Sequence, residues 1–108
     1  MLRSLIACAT VACSASIFAQ SVDIAPELWD RPRTARAVLE QENIRRAINV
    51  GLAKPDAQIV IHHTNGQEPL LQAEELKSWL TALSIDSRRI ALRADGVAGS
   101  PMRLEIIE

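Results

Sequence analysis

The feature that most constrains this chain is the run IVIHHTNG, Ile59 to Gly66, in which three branched apolar residues pass at once into polar turn formers. Such a run reads as a buried strand whose end opens into a pocket-forming loop. Ile59, Val60 and Ile61 are apolar on both alternating faces. That suits a central strand covered on both sides, or one whose second face is only thinly solvated.

Helical patterns flank the strand. From Ala37 onward, Ile44, Ala47, Ile48, Gly51 and Leu52 fall on one stripe of a 3.6-residue period, while Glu42, Arg45, Arg46 and Asn49 face water. Glu42 is placed to pair with Arg46 one turn on, and Pro55 stops the helix because the residue before a proline is pushed out of the α region. Downstream, Pro69 suits a first helical turn, where its missing N–H has no intrahelical partner anyway. Ala73, Leu76, Leu80 and Leu83 form that helix's buried stripe with Trp79 beside them; Glu74, Glu75, Lys77, Ser78 and Thr81 lie outside.

Ile90, Leu92 and Ala94 alternate with Arg89, Ala91 and Arg93, and Leu104 and Ile106 alternate with Arg103, Glu105 and Ile107, so both segments read as strands with one buried face. A strand, a crossover helix and a strand between Ile59 and Ala94 imply a right-handed parallel unit. The short Asp95 to Pro101 connection returns the last strand antiparallel. The expected class is α+β: a two-layer sandwich with a mixed sheet of three to four strands and two helices on one face.

The start of the chain has a different character. Arg3, an apolar stretch from Leu5 to Ala12 and small residues up to Ala19, with no acidic residue before Asp23, form the pattern of a secretory signal peptide over residues 1–19, cleaved after Ala19. The apolar stretch falls short of the roughly 20 residues a membrane helix needs, so no transmembrane segment is expected in the mature chain. Both cysteines, Cys8 and Cys13, fall inside this leader, leaving no mature thiol for a disulfide, metal site or nucleophile. Val11-Ala12-Cys13 is the rival lipoprotein signal, with Cys13 as the lipidated residue; Thr10 is a poor residue three places ahead of it. Residues 20–36 read as an irregular leader and candidate first edge strand, in which Pro32 and the spaced arginines of LWDRPRTAR oppose a regular helix. The folded α+β domain is expected over 37–108.

Composition narrows the partners. A formal net charge of −1 gives no basic field to attract nucleic acid, and 3% aromatic residues with no Tyr leave few stacking platforms. His62 and His63 are neighbours in a strand and point to opposite faces, so they cannot chelate one ion together, and zinc needs three or four ligands; no metal and no cofactor is expected. Ser100, the one glycine-adjacent serine, lacks the strand-turn-helix context of a nucleophile elbow, so the chain is not read as an enzyme. Arg31, Arg33 and Arg36 cluster beside Trp29. Arg88, Arg89, Arg93 and Arg103 are positioned to line the open sheet face, and Arg89, Arg93 and Arg103 are the candidate partner face.

Taken together, AVLEQENIRRAINVGLAKP, IVIHHTNG, DSRRIALRADG and the closing MRLEIIE resemble, in order and spacing, the periplasmic OmpA-like family of βαβαββ modules that hold the outer membrane to peptidoglycan. The resemblance covers most of the chain after the leader, with a shortened loop before the second helix. It implies an exported, periplasmic, non-enzymatic cell-envelope module whose ligand site comprises His63, Thr64, Asn65, Gly66 and Gln72. The family grips the charged groups of diaminopimelate with a turn aspartate and an arginine early in the second helix. Asn65 and Gln72 stand at those positions here, so the implied peptidoglycan binding is weak. The alternative is a degenerate module that docks on an envelope or secretion protein without touching the wall.

Overall fold

The computed structural model describes residues 19–108. The leader, Cys8 and Cys13 included, and with it the choice between signal peptide and lipoprotein, lies outside the described residues. Seven regular elements follow one another: β1 (Ala19–Asp23), α1 (Ala35–Glu40), α2 (Glu42–Ala53), β2 (Gln58–His62), α3 (Gln67–Ala82), β3 (Ile90–Arg93) and β4 (Arg103–Ile107), with 3-10 turns at Pro26–Asp30 and Ser87–Arg89. The strands form one sheet in the order β1-β4-β2-β3. β2 is parallel to β3, and β4 runs antiparallel to both β2 and β1. The fold is therefore α+β with a mixed sheet.

Ile59 and Ile61 of β2, Ile90, Leu104 and Ile106 share one core with Ile44, Ala47 and Ile48 of α2 and Ala73, Leu76 and Leu80 of α3. Both long helices thus cover the same side of the sheet. Val60 lies on the other side, outside that core yet only 3% exposed, with Ala91 and Glu105 as its cross-strand neighbours. Of the two settings open to the IVI run, the central strand whose second face is only thinly solvated is the one adopted.

Three elements differ in detail from the sequence pattern. First, β1 begins at Ala19, the residue at which the leader is expected to end, and precedes LWDRPRTAR, which instead forms a 3-10 turn and an extended stretch. Five residues with Val22 as the only large apolar side chain give a strand signal too short to read. The strand is held by its pairing to β4 and by buried Ile24, whose N–H donates to Met102 O at 2.7 Å. Second, the first helix is broken at Gln41, which takes an extended backbone conformation between α1 and α2. Thr34 Oγ1 caps α1 by accepting from Ala37 N at 3.1 Å, and the Arg45 guanidinium donates to the Leu39 carbonyl that the break leaves free. Third, Leu52 is 51% exposed rather than buried. It sits about 80° round from Ile44, at the margin of the stripe. Gly51 is the residue that meets the sheet: a Cβ there would lie 3.1 Å from Ile85 and 3.3 Å from Ile59.

α3 ends in a Schellman arrangement, Ile85 N donating to Leu80 O at 3.0 Å and Ser84 N to Thr81 O at 3.2 Å. Ile85 and Leu80, the apolar pair that accompanies this motif, are both buried. The residue that must turn left-handed is Ser84, with φ of 87°. A non-glycine residue there costs about 1–2 kcal/mol, partly offset by the chain entropy glycine would lose on folding. Ser84→Gly should accordingly stabilise the domain by about 0.5–1 kcal/mol, read as a urea midpoint that rises with an unchanged slope.

Candidate functional site

β2 ends at His62, and its continuation His63-Thr64 runs under the β3–β4 connection. His63 N donates to Arg93 O, and Gly96 N donates to His63 O, each at 2.9 Å. A Cβ on Gly96 would stand 2.9 Å from His63 C and 3.0 Å from both His63 O and Thr64 N. This close backbone crossing sets the position of His63 and Thr64, which line a cavity of about 130 Å³. Its polar lining is His63, Thr64, Gln72 of α3 and Ser100. Ile24, Pro26 and Trp29 wall it from the β1–α1 connection, and Pro69, Pro101 and Met102 complete it. Of the five residues expected to bind ligand, His63, Thr64 and Gln72 line this cavity. Asn65 and Gly66 are exposed in the turn beside it and do not.

The polar groups divide by commitment. The His63 ring is buried, and its Nδ1 lies 2.8 Å from Thr64 O; since a carbonyl only accepts, Nδ1 carries the hydrogen there. The side chains of Thr64, Gln72 and Ser100 make no hydrogen bond to other described residues, and no charged residue lines the cavity. Charge stands next door, in a groove that shares Trp29 and Gln72 and adds Arg33, Glu68 and Glu75. There the Arg33 guanidinium pairs with the Glu75 carboxylate, donates to Trp29 O and Arg31 O at 3.1 Å each, and lies 5.6 Å from the Trp29 ring centroid. Arg33 thus ties the β1–α1 connection to α3 and holds Trp29 as the cavity wall, its charge already matched.

The opposite face of the sheet carries a second cluster. His62, 6% exposed, has Nδ1 at 2.6 Å from Asp95 Oδ1 and Nε2 at 3.4 Å from Glu105 Oε1. Its cross-strand neighbours are Arg93 and Arg103, and Asp23 shares a larger, open cavity of about 340 Å³ with His62, Asp95 and Arg103. The two carboxylates stand on opposite sides of the ring, so they do not converge on one point; among the described residues no group of three or more His, Cys, Asp or Glu is placed to hold a metal ion. The hydrogen bond from His62 holds the Asp95 carboxyl below the usual carboxylate range. A depressed folded value stabilises the native state above the unfolded pKa and is lost as pH falls through the folded one. Asp95→Asn should flatten the loss of stability between about pH 5 and pH 3, measured as urea midpoints across that range. Asp86, held at about 2 by hydrogen bonds from Arg88, adds a similar loss at lower pH.

The candidate partner face is divided. Arg93 and Arg103 flank His62 on the open face and enter no salt bridge among the described residues. Arg89 does not belong with them. It precedes β3, and its guanidinium wraps back to donate to Ala57 O at 2.9 Å, Gly51 O at 2.8 Å and Lys54 O at 2.7 Å, closing the end of α2. Arg88 pairs with Asp86 at the surface. Trp29, Ser100, Met102 and the carboxylate partners of His62 are the site residues that sequence reasoning missed, because each comes from a segment remote from the strand it joins. Trp29 carried the one available signal, a large aromatic beside an arginine cluster.

Among the described residues no helix is long and apolar enough to cross a membrane. Comparisons with protein-family models, curated proteins and solved structures return no match.

Proposed function

We propose that this protein is an exported, non-enzymatic binding module of the cell envelope that meets peptidoglycan weakly through the cavity between the end of β2 and the start of α3. The observation that carries this reading is the cavity itself. Apolar walls surround three side chains whose hydrogen-bonding groups are uncommitted, the composition of a small-molecule site rather than of a sealed core. With the first helix broken at Gln41 into α1 and α2, the order of elements otherwise follows the βαβαββ pattern that the resemblance to OmpA-like modules implies, and that resemblance supplies the ligand class and the periplasmic setting.

Sedimentation with purified sacculi tests the proposal. The protein should pellet with sacculi above a non-binding control, and Gln72→Ala should lower the pelleted fraction, because the Gln72 amide is one of the three uncommitted polar groups of the lining. Absence of pelleting by the native protein retires wall binding.

One observation favours a second reading, docking on an envelope protein. Arg93 and Arg103 present two guanidinium groups on the open sheet face with no salt bridge of their own. Arg93→Glu with Arg103→Glu separates the two: the cavity reading leaves sedimentation unchanged, whereas the docking reading predicts no sedimentation and loss of a co-purifying partner.

A further inference from the structure

The proposed function leaves open which part of the wall polymer enters the cavity, and the lining answers that in chemical terms. A space of about 130 Å³ admits one functional group rather than a whole ligand, since sites for drug-sized molecules run to roughly 300–1,000 Å³. A charged group seated in it would give up part of its water for a lining that carries no counter-charge. Of the guanidinium groups in adjoining grooves, Arg33 is bound to Glu75 and to two carbonyls, and Arg103 lines the cavity on the far side of Ser100 and Pro101, so neither stands in this lining to receive a carboxylate. Even partial desolvation of an ion without a partner is unfavourable.

What the lining does offer is neutral and of both signs. The Gln72 amide donates and accepts, the Thr64 and Ser100 hydroxyls do either, and none of these side chains is bonded to a described residue. Trp29, Ile24 and Met102 provide an apolar surface beside them. A group with one N–H, one carbonyl and one methyl uses all of these together. We infer that the cavity is a subsite for an uncharged N-acyl group, CH3–CO–NH, and not for the charged centres of diaminopimelate. This rests on the cavity being the wall-binding site, and it names the group bound there. In a wall polymer the acetamido group of an N-acetylated amino sugar is that group, and an alanyl peptide offers the same three elements with the methyl on Cα beside the amide.

The test is titration of the purified, isotope-labelled protein followed by NMR, reading the Trp29 indole, the Gln72 side-chain amide and the Thr64 backbone amide. Four probes are used: the trimer of N-acetylglucosamine, the glucosamine trimer that lacks its acetyl groups, N-acetylalanine amide, and free diaminopimelate. The expected result is saturable shifts at those three reporters with an acetylated probe, at a dissociation constant of about a millimolar, and none with the glucosamine trimer or diaminopimelate. Thr64→Val and Gln72→Ala should each weaken that binding about five- to tenfold while leaving the remaining spectrum folded. Response to the acetylated sugar alone assigns the group to the glycan; response to N-acetylalanine amide alone assigns it to the peptide. Shifts with diaminopimelate but with neither acetylated probe overturn the inference. Sacculi that pellet the protein while no acetylated probe binds also overturn it and leave wall binding standing. No response to any probe together with no pelleting removes both.

Discussion

Replacing Arg89 with methionine should destabilise the domain by about 2–4 kcal/mol, more than any other surface-accessible substitution considered. The methionine keeps much of the apolar stem, so the loss reports the guanidinium. Three carbonyls, Gly51 O, Lys54 O and Ala57 O, accept from this one group, and the first two belong to the end of α2, where carbonyls have no intrahelical donor; Lys54 O also accepts from Ala57 N at 3.0 Å. A hydrogen bond to a charged group contributes roughly 1.5–3 kcal/mol, and the three share one side chain, so they do not add in full. The positive charge also sits at the negative end of the helix dipole. In thermal unfolding the midpoint should drop by about 10 °C or more. Arg89→Lys should recover less than half, because an ammonium cannot reproduce the planar fork that spans two elements. A loss below about 1 kcal/mol for the methionine variant would mean that water serves these carbonyls equally well.

Arg89 also shows where reading the sequence stops. In RRIALR the alternation of arginine with apolar residues assigns Arg89 to the outer face of a strand. The strand in fact begins at Ile90, and Arg89 ends a 3-10 turn from which its long side chain reaches the end of α2. Periodicity gives the face of a residue only while the element lasts. The helix stripes and the IVI strand were legible because each is decided by residues within a few positions of one another, so Ile44, Ala47, Ile48, Ala73, Leu76 and Leu80 are buried as their spacing requires. β1 was not legible, since its stability comes from the β4 ladder and from Ile24 packing at a distance. The cavity was half legible: HHTNG marks the end of the strand and Gln72 the helix that faces it. Trp29, Ser100 and Met102 arrive from the two long connections, and nothing local in the sequence ties them to His63.

The second large effect is expected at Gly96. Gly96→Ala should cost about 2–3 kcal/mol and should also weaken whatever the cavity binds, a combination that distinguishes it from an ordinary loop substitution. The added Cβ meets backbone, His63 C at 2.9 Å and His63 O and Thr64 N at 3.0 Å, and backbone held in a sheet cannot rotate aside as a side chain would. The β3–β4 connection must therefore lift, stretching the bond from Gly96 N to His63 O and carrying with it Ser100, Pro101 and Met102, which line the cavity. Overpacking of this kind costs about 1–3 kcal/mol, and the strained hydrogen bond adds to it. Gly99 in the same connection is the internal comparison. Its φ of 85° disfavours a side chain, but a Cβ there meets nothing within 4 Å, so Gly99→Ala should cost about 1 kcal/mol from backbone strain alone and leave binding intact. Urea unfolding gives the two stabilities, and titration at the Thr64 amide gives the binding. Equal losses at both positions, or a Gly96→Ala protein with unaltered binding, would show that the connection gives way without moving the cavity wall, and that His63 and Thr64 do not depend on it for their position.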